Sequence, residues 1–246
     1  MKRSALLWAA LAIGLVWLLL AVVVDQPILP GPLIVVQTFL QELPKDLGLH
    51  FVVSLWRVLA SMGLSVLLAV PAGLALGQSD RLNKLFSPLI YLLFPVPKVV
   101  LVPIVLLFFG VGDLPKILIV FMILFFQILV LVRDQAAGLR AELLYSVRSL
   151  GAGRRALFRF VYLPASLPAI LTALRQSIGT AVAVLYVAEL FATNLGLGYY
   201  IYFNGSTALN YPKMYAGVLA MSLLGLGLYF IADWLHQRLC PWQFAP

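Results

Sequence analysis

Six long apolar runs mark the chain, at residues 6–24, 51–76, 88–109, 117–132, 170–190 and 214–235. Each is long and lacks period-two alternation, so each predicts a helix and none a strand. A hydrocarbon core of about 30 Å takes about 20 apolar residues per helical crossing. The pattern therefore predicts an all-α, polytopic membrane protein with six transmembrane helices. Met1-Lys2-Arg3 ahead of the first run has the charged start of a signal peptide, but the run is too long and lacks a small-x-small cleavage site, so it reads as a retained crossing. Pro95, Pro97 and Pro103 interrupt the third run; by removing backbone donors they can open a discontinuous helix around a cavity.

Composition agrees with this pattern. Of 246 residues, 63% are hydrophobic and 11% charged, which leaves no room for a separate soluble domain. The expected division is a first crossing with an external loop over 1–50 and a five-helix core over 51–246, with a loop at 133–168. The net charge of +8 would suggest nucleic acid in a soluble chain; here basic residues report topology, and no nucleic-acid partner is expected. With the N-terminus inside, Lys2, Arg3, Arg81, Lys84, Arg133, Arg140, Arg148, Arg154, Arg155, Arg159 and Arg238 fall on the cytoplasmic side, against Lys45, Lys116 and Lys213 outside. Both termini are then cytoplasmic. The single Cys240 excludes an internal disulfide, and His50 and His236, with no thiol or carboxylate at ligand spacing, read as solvated or interfacial residues and not as metal ligands.

The connections differ in kind. Residues 25–50, rich in proline, read as an external loop with a short helix over 33–43; residues 194–212 read as an aromatic interface belt. The loop at 133–168 carries six arginines against Asp134 and Glu142. Within it Leu139, Leu143, Val147 and Leu150 recur at spacings of four, four and three, which predicts an amphipathic helix with Arg140, Glu142, Arg148 and Ser149 largely elsewhere. Gly151-Ala152-Gly153 stops it, and a second amphipathic helix follows from Arg154 to Leu163, ended by Pro164. Such a segment can lie on anionic headgroups or fill a partner's groove.

The spacing Tyr145-Ser146-Val147-Arg148-Ser149-Leu150-Gly151, nine residues, then Val161-Tyr162-Leu163-Pro164 resembles the E-A-A-x3-G-x9-I-x-L-P loop of binding-protein-dependent ABC importer permeases. Tyr145, Ser146 and Val147 replace the name-giving Glu, Ala and Ala. Ser54 to Val58, Pro97 to Pro103, Phe109-Gly110-Val111-Gly112-Asp113, Ala188-Glu189-Leu190 and Gly196-Leu197-Gly198 look like the branch that carries nitrate, taurine, alkanesulfonates and thiamine precursors. The resemblance implies the type I importer permease fold in a bacterial inner membrane, with a second permease copy, two ATP-binding subunits and an external solute-binding protein. It also implies that Leu139, Leu143, Val147, Arg148, Leu150, Gly151, Arg154, Leu163 and Pro164 couple the chain to the ATPase.

No Gly-Lys-Ser/Thr phosphate loop, catalytic triad, paired carboxylates or metal cluster appears, so ATP and Mg would be held by the partner ATPase and no catalytic residue is expected here. Charges inside apolar runs call for a partner or a wet cavity. Lys98, nearest a midplane, is a candidate for the translocation path or for capping backbone carbonyls. Arg57 and Glu189 are further path candidates, Arg57 and Arg175 also reading as packing anchors and Glu189 as a plain helix end. The rivals are an ATP-independent channel or carrier and a membrane scaffold.

Overall fold

A computed structural model of the chain describes residues 3–139 and 141–243, and every regular element among them is helical. Four helical stretches are long and apolar enough to cross a membrane: they fall within Pro32–Gln78, Asp113–Ala137, Arg155–Ala188 and Tyr211–Leu239. The pair Asp80–Leu93 and Lys98–Phe109 makes a fifth, bent by 75°. Trp8–Val24 is a shorter apolar helix. The proline cluster breaks the third run as expected.

We number the helices α1 (Arg3–Val24), α2 (Pro32–Glu42), α3 (Gly48–Gln78), α4 (Asp80–Leu93), α5 (Val102–Phe109), α6 (Asp113–Ala137), α7 (Ala141–Ser149), α8 (Arg154–Leu157), α9 (Leu163–Ala188), α10 (Leu197–Tyr202) and α11 (Tyr211–Leu239). A π-helical turn at Leu43–Leu47, with Lys45 off helical geometry at φ −107° and ψ −128°, separates α2 from α3. Pro44 ahead of it removes one backbone donor. Ser79 starts α4 by accepting the Leu82 N–H at 3.4 Å.

The chain forms two compact units. The first comprises residues 1–55 and 189–224. In it Trp17 stacks on Tyr215 with ring centroids 6.0 Å apart, and Glu42, nearly buried, pairs with Lys213 at 2.9 Å. Burial alone would raise the Glu42 carboxyl, but the ammonium groups of Lys213 and Lys45 outweigh it and hold the carboxyl below its ordinary value.

The second unit comprises residues 56–188 and 225–246. One of its seams joins α3 to α6. Arg57, Ser61, Ser65, Ala69, Gly73 and Gly77 recur every fourth residue and so form one stripe along α3. Arg57 meets Asp113, Ser61 meets the Ile117 carbonyl and Ser65 the Phe121 carbonyl, each pair 56 positions apart. Gly73 against Leu129 and Gly77 against Arg133 keep that offset. A constant offset means that the two helices run in the same direction. A Cβ at Gly73 would stand 2.9 Å from the Leu129 oxygen, and at Gly77 2.6 Å from that of Arg133, so only glycine permits this approach.

Interhelical hydrogen bonds in a bilayer contribute only about 0.6 kcal/mol on average. Here the Ser61 and Ser65 protons are also shared with their own i−4 carbonyls at 2.7 Å. Close packing of small residues therefore supplies most of the seam's strength. Helix α6, with Ile119, Val120, Leu124 and Ile128 buried, also packs along α9, where Ile170, Ala173, Ala181 and Leu185 are buried, while Val132 closes on Gly73 of α3. Helices α9 and α11 run antiparallel: Arg175 pairs with Asp233 at 2.6 Å, and Gly225 faces Val182. Arg175 thus has the anchoring role read for it.

Candidate functional site

The loop between α6 and α9 starts later than the apolar run suggests: α6 continues through Arg133 to Ala137, and Gly138 closes it. Leu139 therefore precedes α7 and Leu150 follows it, and α7 ends in a Schellman motif. The Gly151 N–H donates to the Arg148 oxygen at 2.9 Å and the Ala152 N–H to that of Val147 at 3.4 Å. Gly151 takes φ +84°, a conformation that costs glycine nothing and other residues a strained backbone. The chain reverses there, and α8 starts with the Leu157 N–H on the Gly153 oxygen at 3.0 Å.

The expected second helix differs at its end. Pro164 does not stop it: a π-helical turn at Phe158–Tyr162 carries the chain directly into α9, with Pro164 in the first turn of α9 and Pro168 inside it. The missing N–H of Pro164 falls directly after this π-helical turn, where the Leu163 N–H already reaches back to the Phe158 oxygen and the hydrogen-bond ladder changes step. Loop and helix are therefore one continuous backbone from Arg154 to Ala188.

The apolar stripe is divided. Leu139, Val147 and Ala152 pack on a small core of Leu157, Val161 and Tyr162 inside the loop, whereas Leu150 remains 86% exposed and Tyr145 66% exposed. Leu163 is half-buried and Arg148 exposed. Arg140 and the side chains of Leu143 and Arg154 lie outside the described residues. The exposed apolar group at the turn is thus Leu150, flanked by Arg148 and Arg155.

The three charged path candidates all meet partners within the chain. Arg57 is buried, and its Nε and Nη2 donate to Asp113 Oδ1 at 2.8 and 2.7 Å. Asp113 occupies the first turn of α6, where the helix dipole favours a carboxylate. Lys98 is 7% exposed; its Nζ donates to the carbonyls of Leu93, Phe94 and Val96 at 2.7, 2.9 and 3.1 Å and lies 4.7 Å from the centre of the Phe126 ring. An ammonium has three donors, and all three cap the broken end of α4. Of the two roles read for Lys98, the capping one is what the geometry displays.

Glu189 is fully buried just past α9. Both its oxygens lie 2.9 Å from the Ser54 hydroxyl, and Oε2 accepts the Gly198 N–H at 2.9 Å. Ser54 Oγ accepts the Leu197 N–H at 2.8 Å, and His50 Nδ1 stands 3.0 Å from the nitrogen of Gly196. Glu189 is thus more than a helix end: with Ser54 and His50 it grips the Gly196-Leu197-Gly198 turn. Gly196, at φ +117°, also lies where any Cβ would strike the Glu189 carboxyl. His50, expected to be solvated or interfacial, is 8% exposed and packs against Tyr200, with ring centroids 5.2 Å apart; His236, at 5%, meets Gln243 at 3.0 Å. Both histidines thus contact protein groups of their own chain.

Comparison with known proteins decides what these elements belong to. The family of binding-protein-dependent transport system inner membrane components matches residues 65–241. The chain belongs to that family. It is a permease subunit of an ABC importer and a component of the inner membrane. The taurine transport system permease of Escherichia coli is 31% identical over 79% of this chain and 70% of its own length. The formylaminopyrimidine transport permease of Halalkalibacterium halodurans is 27% identical over 95% of this chain and 93% of its own.

Among solved structures, the inward-facing MetNI methionine ABC transporter superposes with a TM-score of 0.67 at 16% identity, over 79% of this chain and 96% of that one. A bacterial alginate ABC transporter in complex with a periplasmic protein superposes with a TM-score of 0.61 at 18% identity, over 96% of each chain. These likenesses establish the importer permease fold. The family match spans the loop, α6, α9 and α11, while Arg57, Ser54 and His50 precede it. Sequence reading missed Ser54 and Asp113, because a serine and a helix-start aspartate carry no signal of the partner that the fold brings to them. Lys116, used in the sequence only as a marker of the external side, has a side chain that is 1% exposed and reaches the Gly112 carbonyl at 2.8 Å.

Proposed function

We propose that this permease carries a small polar or anionic solute into the cytoplasm along a path completed by a second copy of the chain. ATP, with Mg, is hydrolysed on two separate subunits that seat on the loop between α6 and α9. In this reading the chain crosses the membrane six times, α1, α3, the α4–α5 pair, α6, α9 and α11 each crossing once, and both termini lie in the cytoplasm. The excess of Lys and Arg on that side supports the orientation.

The observation that carries the proposal is the exposed Leu150 at a glycine corner, from which one backbone runs without interruption into α9. An apolar side chain among arginines suits a groove with a polar rim, and a continuous helix can transmit movement of that groove. The alginate transporter, solved with a periplasmic protein bound, supports an external solute-binding partner for this chain as well. In this reading Lys98, Arg57 and Glu189 border the path, where they hold its helix ends and turns. Relatives named for taurine and for a formylaminopyrimidine share this scaffold, which supports selectivity set mainly by the external receptor.

The test is uptake in vesicles holding the permease, the ATPase and the binding protein. Leu150→Asp and Gly151→Val should abolish ATP-driven uptake and co-purification of the ATPase while membrane insertion persists. Uptake without an ATPase would establish a carrier or channel instead, and an intact complex without flux a scaffold.

A further inference from the structure

Helix α6 carries no charged residue between Lys116 and Arg133, a span of about 25 Å at 1.5 Å per residue. The two cations therefore stand near opposite surfaces of a hydrocarbon core of about 30 Å. Beside Arg133, helices α4 and α6 enclose a cleft of about 510 Å³. Its lining includes Ser87, Tyr91 and Arg133 together with the apolar Ile90, Phe94 and Val130. A second cavity of about 360 Å³ opens among α3, α4 and α6, lined by apolar residues alone, among them Leu76, Phe86, Leu89, Leu93 and Phe126; Ile90 borders both. No carboxylate lines either one.

We propose that this cleft is a binding site for an anionic phospholipid, its phosphate at Arg133 and Ser87 and an acyl chain lying along Ile90 and Phe94. The inference rests on placement in the bilayer alone and needs neither the solute nor the ATPase reading. Charge complementarity names the occupant. At headgroup depth the abundant molecule with an oxyanion joined to a long apolar chain is a phospholipid, and basic pockets between helices hold anionic headgroups in this way. A guanidinium binds phosphate through paired N–H donors.

The Arg133 Nη2 now lies 2.8 Å from Asp134, whose side chain is 60% exposed. An ion pair so open to water is weak, and a phosphate can displace it. Ser87 donates to Asn83 Oδ1 at 2.8 Å, which leaves its oxygen lone pairs directed by α4 itself, and its proton can rotate to an incoming oxyanion.

The full-length chain, purified in detergent with any companion subunits retained, is washed and then offered equal amounts of a phosphatidylglycerol and the phosphatidylcholine with the same chains. Retained lipid is counted by native mass spectrometry. Retention of the anionic lipid should exceed that of the zwitterionic lipid about tenfold, the effect of one charge-assisted contact. Arg133→Gln should remove the preference, and Ile90→Trp, which fills the cleft, should lower retention of both lipids. A preference that is absent in the native chain, or that survives Arg133→Gln, overturns the proposal. So does inorganic phosphate raising the melting temperature as much as phosphatidylglycerol does, because the site would then hold a free oxyanion. Rapid disulfide dimerisation of Tyr91→Cys, in a chain also carrying Cys240→Ser, would show a second copy covering the cleft and would likewise overturn it.

Discussion

The seam between α3 and α6 and the loop between α6 and α9 share one helix and treat their side chains in opposite ways. Along the seam the polar side chains of the α3 stripe have partners in the chain, Arg57 on Asp113, Ser61 on Ile117 and Ser65 on Phe121, with glycine where backbones touch. At the loop only part of the apolar stripe is covered by the chain's own small core, and Leu150 and Tyr145 stay exposed beside Arg148 and Arg155. A region whose bonding is complete stabilises the fold, whereas one that leaves apolar surface and charge exposed is built to be completed by another molecule.

Substitutions should separate the two regions, the largest effect first. Gly77→Leu drives a side chain into the Arg133 carbonyl and Ala136, and should cost about 3 kcal/mol or more, seen as loss of folded protein in a detergent melting curve. A melting temperature within a degree of the native one would mean that the seam is not tightly closed. Asp113→Asn leaves the buried Arg57 without its counter-charge. Because the Asp113 side chain is 47% exposed, water screens part of the loss, and the expected cost is about 1–2 kcal/mol by the same measurement.

Glu42, outside both regions, provides a control governed by pH. Its carboxyl lies below the ordinary 4.5 in the folded chain, so its pairing with Lys213 stabilises fully above that value and is lost as pH falls through the lower, folded one. Glu42→Gln should therefore lower stability at pH 7 and flatten its decline in acid, while Gly77→Leu, which changes no charge, leaves that slope as it is. Leu150→Asp should leave stability within about 0.5 kcal/mol of the native chain and still eliminate ATPase co-purification. A destabilised Leu150→Asp chain would show that Leu150 belongs to the fold and not to an interface.

Much of this was legible in the sequence. Apolar length gave the helices, the proline cluster gave the break between α4 and α5, and the glycine at 151 gave the reversal of the loop, because each reflects a local property of the backbone. The charges were harder. Arg57 and Lys98 are visible as costly residues in apolar runs, but whether a cation faces solute or a carbonyl depends on which turn lies beside it, and only the fold brings Leu93, Phe94 and Val96 around Lys98. Glu189 and Ser54 lie 135 positions apart, a separation that no local pattern spans. Pro164 was misjudged for a different reason: the rule that proline ends a helix yields where a π-helical turn precedes it and the proline opens the next helix.

The every-fourth-residue stripe of α3 has a consequence for how such chains can change in length. Residues 79–112 leave and rejoin two partners already fastened to each other, so a residue gained or lost in a turn of that excursion, such as 110–112, leaves the register of the stripe on α6 unchanged. One residue added inside 57–77 rotates everything beyond it by about 100° and swings the glycines away from α6. Length variation among descendants of this gene should therefore collect in the excursion and be missing from the stripe.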